Sequence, residues 1–278
     1  MNSKKHIVGL VALVLAAVSS AQDAAPAPNV VGERKTGDVM SITLPGGAEM
    51  EMIWCAPGSF NMGSPETEAG RLEDETPRTV TISKGFWLGK YEVTQRQWES
   101  VMRNNHSRFK GPDNPVENVS WNDCDMFIRR VNATMKDMMV RLPTEAEWEY
   151  ACRAGSTAPV SGSGQIGDMA WYDTNSDNQT HAVGQNKPNA WGFYDMHGNV
   201  LEWCSDWFSV PSADKAVDPK GPPSGSFKML RGGCWFFYDR DCRSAYRLKR
   251  EPRLRNCIFG FRLVCTERGQ RPSASTAK

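Results

Sequence analysis

Along the chain, apolar side chains recur at helical spacing in three stretches, each opened by a capping residue. Thr94 precedes QRQWESVM with Gln97 three residues on, and Trp98, Val101 and Met102 share one face. Ser120 precedes WNDCDMFIRRV, in which Cys124, Phe127, Ile128 and Val131 fall at i, i+3, i+4 and i+7. Thr144 and Glu147 form a capping box in RLPTEAEWEYACRAG, with Pro143 ahead of the cap and Gly155 as a stop. A capped start followed by an apolar stripe predicts three amphipathic helices. The runs MEMIWCA, TVTIS, FWLGKYEV, KMLRGG and GFRLVC predict short strands. Between Gly155 and Lys228 the periodicity lapses into Gly, Pro, Asn, Asp and Trp. So much irregular backbone needs extra fixings, and disulfides or bound calcium are the usual ones. GSGQIG (Gly162, Gly164, Gly167) has the spacing of a dinucleotide loop, but it follows no strand and opens no periodic helix. It reads as a flexible loop.

The N-terminus changes the picture. Lys4 and Lys5 precede an apolar Ile7–Val18 core, too short to span a bilayer comfortably, and Ser19-Ser20-Ala21 follows it. Residues 1–21 therefore read as a signal peptide, 22–40 as a linker, 41–268 as one domain and 269–278 as a disordered tail. The mature protein is expected to be secreted or periplasmic, with no membrane attachment after cleavage. A net charge of +1 gives no field for holding nucleic acid. The basic run between Arg243 and Arg255 reads as a solvated face.

Export also changes the meaning of eight cysteines, which can pair in an oxidising compartment. None forms a Cys-x-x-Cys unit, so a zinc ribbon is excluded on spacing. Of the histidines beyond the leader, His106, His181 and His197, no two lie a helical turn apart. That argues against a histidine-based zinc hydrolase.

The segments MIWCAPGSFNMGS, WLGKYEVTQRQW, NPVENVSWNDC, RLPTEAEWEYACRAG, NAWGFYDMHGNVLEWCSDW, LRGGCWFFYDRDCRSAYR and GFRLV occur in that order. Together they resemble the formylglycine-generating enzyme, or sulfatase-modifying factor, family over nearly all of residues 41–266. The resemblance implies a C-type-lectin-like α+β fold, rich in irregular loops and carrying structural calcium. Founding members of the family oxidise a cysteine in a Cys-x-Pro-x-Arg segment of a sulfatase to formylglycine. They use oxygen and a copper(I) ion held by two cysteines, three and eight residues after the serine of a Gly-Gly-Ser segment. Here Gly232-Gly233 leads into Cys234 at the serine position, Phe237 stands at the first thiolate position and Cys242 at the second. Leu201 replaces the tryptophan usual before the EW of that motif, and Ile258 the asparagine often found before GFR. Copper(I) prefers two soft thiolates, and Phe237 offers no electron pair, so bound copper is not expected. Recruitment of Cys234 beside Cys242 is the alternative.

The resemblance further implies a Cys152–Cys242 disulfide, because relatives with CRSAYR also carry EYACRAG. Closing a loop of about ninety residues contributes roughly 4 kcal/mol on chain-entropy arguments. Cys234 pairing with Cys242 or Cys257 remains open. The family's calcium pattern falls on Asp195, Gly198, Val200 and Glu202, with a second set near Asn175 and Asp177. Turn and cap bonding is the competing role for these carboxylates.

Two functions follow. The first is an exported binding or scaffold module taking a protein, peptide or glycan, a sulfatase included. Trp171, Tyr172, Trp191, Trp235, Phe236, Phe237 and Tyr238 are its candidate surface, although most read as core. The second is a formylglycine-generating oxidase with altered copper ligation through Cys234 and Cys242.

Overall fold

The structure is a computed structural model that describes residues 34–268. The leader, most of the linker and the tail from residue 269 lie outside the described residues. Strands β1 (Val39–Thr43), β2 (Glu49–Cys55), β3 (Gly58–Met62), β4 (Arg78–Ile82) and β5 (Phe86–Gly89) come first. They lead into helices α1 (Gln95–Met102) and α2 (Trp121–Asn132), strand β6 (Met138–Arg141) and helix α3 (Glu145–Arg153). Then come α4 (Ile166–Met169), β7 (Ala170–Trp171), β8 (His197–Gly198), β9 (Leu201–Trp207) and β10 (Ala216–Val217). Strands β11 (Lys228–Arg231), β12 (Leu248–Arg250), β13 (Phe259–Gly260) and β14 (Val264–Glu267) complete the described residues.

The three capped helices form where the apolar stripes place them. Thr94, Ser120 and Thr144 each accept a bond from the third helical backbone N–H, and Gln97, Asp123 and Glu147 reach back to complete three capping boxes. Trp98 stacks on Phe127 at 5.4 Å and both rings meet Phe261 edge-on, so α1 and α2 share one apolar cluster. Trp148 of α3 belongs to a second cluster with Phe193, Met196 and Cys204.

The sheets tie distant segments together. β1, β2, β5, β14 and β6 lie side by side in one antiparallel sheet, so the first and last strands share it. β12, β11 and β9 pair antiparallel, and β13 joins β9 in parallel. β3 and β4 form a hairpin extended by β10, and β7 pairs with β8. Antiparallel sheets with separate helices make this an α+β fold.

Several elements depart from the sequence pattern. Strand β1 begins at Val39, and Arg34 pairs with Glu267 at 2.8 Å, so ordered structure starts inside the span read as linker. GFRLVC is split between β13 and β14, which pair with different sheets. Strand β9 has no period-2 alternation because nearly all of its side chains are buried. The basic run is not wholly a solvated face. Arg243 and Arg247 are buried and pair with Glu68 and Glu75, and with Glu145 and Asp74.

Candidate functional site

Strand β11 ends at Arg231, a wholly buried guanidinium. It donates to Glu149 of α3 and to the carbonyls of Ser244, Ala245 and Tyr246, which folds the 232–246 segment back on its own strand. Gly232 and Gly233 make the turn with φ of 98° and 77°. A Cβ on Gly233 would lie 2.5 Å from the Cys242 sulfur and 2.8 Å from the Asp241 carbonyl. Only glycine allows the strand that carries Cys234 to approach Cys242 this closely.

Cys234 and Cys242 are thus brought together, and both are wholly buried. Burial pushes both thiols far up, and each is also in the field of its neighbours, Cys242 and Cys257 on Cys234 and Asp241 on Cys242. Two thiols held protonated are poor metal ligands, because the thiolate is the binding form. Phe237 packs edge-on against Tyr246, 5.9 Å between centroids, and against the cluster that contains Cys234. Its backbone N–H donates to the Cys234 carbonyl at 3.0 Å.

The structure holds all eight cysteines as free thiols, so neither the expected Cys152–Cys242 bridge nor the alternative pairings of Cys234 are present in it. His197 lies between the two cysteines' segments. Its Nδ1–H donates to the Cys242 carbonyl at 2.7 Å. Its Nε2 accepts from the Ser161 N–H at 3.1 Å and hydroxyl at 2.8 Å, with the Cys152 sulfur 3.7 Å away. The imidazole stands between α3 and the C-terminal segment and joins them by hydrogen bonds. Burial pulls its pKa down to about 4, so the ring is neutral, as this donor–acceptor pattern requires. Burial likewise lifts the Cys152 thiol to about 12.

The calcium residues divide. Asp195 is buried; its Oδ2 accepts the Gly184 N–H at 2.7 Å, while Oδ1 has no partner. Glu202 is engaged: Arg262 grips it twice, at 2.6 and 2.7 Å, and Trp148 Nε1 donates to it at 2.8 Å. Glu202 is therefore a counter-ion first. Glu92, which no sequence pattern singled out, stands in the same ring. It accepts from Asn199 Nδ2 at 3.0 Å and the Val200 N–H at 3.2 Å. Burial, followed by the charges of Asp195 and Glu202, raises its pKa well above the usual range, and burial lifts Asp195 to about 6. Three buried carboxylates thus face the single guanidinium of Arg262. One orphaned oxygen in that ring suits a hard cation. No three His, Cys, Asp or Glu side chains converge as a metal cage among the described residues, so backbone oxygens would have to complete the set. The second set holds no orphaned buried oxygen. Asn175 spends both amide atoms on the Tyr172 N–H and the Ala170 carbonyl, and Asp177 is exposed in a left-handed turn.

The candidate aromatic surface shrinks. Trp171 stacks on His181 at 3.8 Å, Trp191 meets Tyr150 edge-on and Trp235 is buried. Phe236 and Tyr238 stand out at 59% and 58% exposure.

The Sulfatase-modifying factor enzyme 1-like domain matches residues 43–267. The chain is 34% identical over 210 residues to the chaperone protein LppX of Paenibacillus barcinonensis, covering 57% of this chain and 71% of that protein. It is 31% identical over 293 residues to the formylglycine-generating enzyme of Mus musculus, covering 76% and 74%. It spans only 37% of the Chlamydia pneumoniae serine/threonine-protein kinase pkn1, which it also matches at 30% identity. Among solved structures, Treponema denticola variable protein 1 superposes with a TM-score of 0.74 at 31% identity, over 82% of this chain and 98% of that one.

Proposed function

The chain belongs to the sulfatase-modifying factor family, and from that premise we propose that it is an exported binding or scaffold module without the family's oxidation chemistry. The observation that carries this reading is the sulfur count. Phe237 stands where the family resemblance puts the first copper ligand, and burial of Cys234 and Cys242 favours their protonated thiols. Copper(I) would meet one family ligand and a benzyl ring, and a single thiolate holds it loosely. Export rests on the leader from Lys4 to Ala21. Calcium would be held by Asp195 with the backbone oxygens of Gly198 and Val200, where it would offset the carboxylate ring and stiffen the turn before β9. Phe236 and Tyr238 are the exposed anchors nearest the lost centre, and a sulfatase is the partner class that the family relationship favours.

A second reading rests on one contact. Gly233 lets Cys234 close on Cys242, so ionisation of both thiols would restore a two-sulfur site with altered geometry. The experiment that separates the two incubates the protein with copper(I), oxygen and a Cys-x-Pro-x-Arg peptide and follows the peptide thiol by mass spectrometry. An unchanged thiol is expected. Conversion to the aldehyde refutes the module reading.

A further inference from the structure

A cleft of about 860 Å³ opens away from the Cys234 segment, and no residue from 229 to 265 lines it. Its walls come from the ends of β2, β5, β6, β9 and β14 and from the 218–223 loop. Three indoles, Trp54, Trp87 and Trp207, line it together with five cations and three carboxylates. Each carboxylate is already engaged. Arg141 grips Glu147 through two bonds of 2.6 Å, Arg34 holds Glu267 at 2.8 Å, and Asp218 accepts from the Ser83 N–H and hydroxyl. Lys84, Lys220 and Lys228 have no carboxylate within salt-bridge distance among the described residues.

Lys228 is the informative one. It is only 4% exposed, yet its ammonium is held by the Ser205 carbonyl at 2.6 Å and by the faces of Trp121 and Trp207 at 4.1 and 4.0 Å. Asp206 lies in the field of Lys228 and Asp218 in that of Lys84 and Lys220, yet five cations against three carboxylates leave the cleft lining net positive. Its size lies in the upper part of the roughly 300–1,000 Å³ range of small-ligand pockets, too large to be filled by a simple anion. The paired arginine–carboxylate forks and the Thr144, Ser205 and Thr266 hydroxyls give it alternating donors and acceptors beside aromatic surface. Flat apolar faces edged with hydroxyls, plus negative charge, are the complement of that lining.

The geometry points to a binding site for an acidic oligosaccharide, a short chain of sugar rings bearing carboxylates. Trp54 and Trp207 each carry a cation over the ring, Arg34 at 5.0 Å and Lys228 at 4.0 Å; the ring surface left open to the cleft takes the sugar C–H faces, the side-chain forks bind hydroxyls, and Lys84 and Lys220 receive the carboxylates. This site deepens the binding-module reading but shares no residue with the Cys234–Phe237–Cys242 segment. Peptide oxidation in the copper assay would end that reading and leave the cleft standing.

The test is isothermal calorimetry with tryptophan fluorescence on the full chain, using trigalacturonate, the neutral trimer maltotriose and an Asp/Glu hexapeptide as probes. Saturable binding of trigalacturonate is expected with a Kd below about 1 mM. Maltotriose and the peptide should bind about tenfold more weakly, and Lys84→Glu combined with Lys220→Glu should weaken the acidic trimer about tenfold without moving the melting temperature. No saturable signal, equal binding of maltotriose, tighter binding of the peptide, or indifference to the double charge reversal would each overturn the assignment.

Discussion

Replacing Glu149 by glutamine tests the buried network that holds the Cys234 segment in place. Glu149 is 1% exposed and binds three partners: the Gly63 N–H at 2.8 Å, Arg153 Nε at 2.9 Å and Arg231 Nη2. The substitution keeps the shape and removes the charge, leaving two buried guanidiniums with less compensation. Removing one partner of a buried pair costs about 3–5 kcal/mol. Arg231 keeps three carbonyls and lies 3.8 Å from Glu145, which favours the lower half of that range. For a domain of this size each kcal/mol lowers Tm by roughly 2–4 °C, so a fall of about 10 °C is expected. Calorimetric scans and urea titrations of the wild type, Glu149→Gln, Arg231→Met and the double variant form a cycle. The double variant should be less destabilised than the sum of the singles by at least about 1 kcal/mol. Additive losses, or a Glu149→Gln cost under about 1 kcal/mol with an unchanged m-value, would refute the network as the clamp on this segment.

Other measurements bear on separate features. Calcium at a hundred times its Kd would stabilise the fold by about 2.7 kcal/mol, so excess EGTA should lower Tm, and an unmoved curve removes Asp195 as a ligand. A thiol reagent should label Cys257, the one cysteine not fully buried, well before the other seven react in denaturant; slow labelling or fewer than eight thiols after unfolding contradicts the free-thiol structure. Burial raises the Glu117 carboxyl to about 7. Its contribution is fully present below the unfolded pKa near 4.3 and is lost as pH rises through 7, a decline of about 2–3 kcal/mol that Glu117→Gln should flatten; a pH profile identical in the variant sinks this. Gly233→Ala should destabilise by about 2 kcal/mol or more, since its Cβ meets Cys242 and Asp241 at a φ of 77°. A native melting curve would show that the turn relaxes.

What could be read from the chain was local. Ser120 and the i, i+3, i+4, i+7 row behind it announce α2 because cap and stripe are contained within a dozen residues. The motif order put Cys234, Phe237 and Cys242 on one segment, and the Gly232-Gly233 turn brings that segment's start against Cys242. β9 was invisible because a strand buried on both faces loses its alternation. Glu92 went unnoticed inside FWLGKYEV because its partners, Asn199 and Val200, are more than a hundred residues away. His197 was weighed only as a zinc ligand, whereas its work is between backbone groups that no periodicity reveals. Its one local signal was an ionisable ring between Met196 and Gly198. The cleft had no signature at all, since its walls come from separate parts of the chain.

The clasp between Arg34 and Glu267 has an architectural consequence. Entry and exit points of the folded body sit side by side, so the unit is shaped like a bead hung from a string by a single knot. It can be spliced into a loop of an unrelated host without prising the host's flanks apart. Joining position 268 back to 34 through a short spacer and cutting the backbone at another exposed turn should yield a circular permutant that folds.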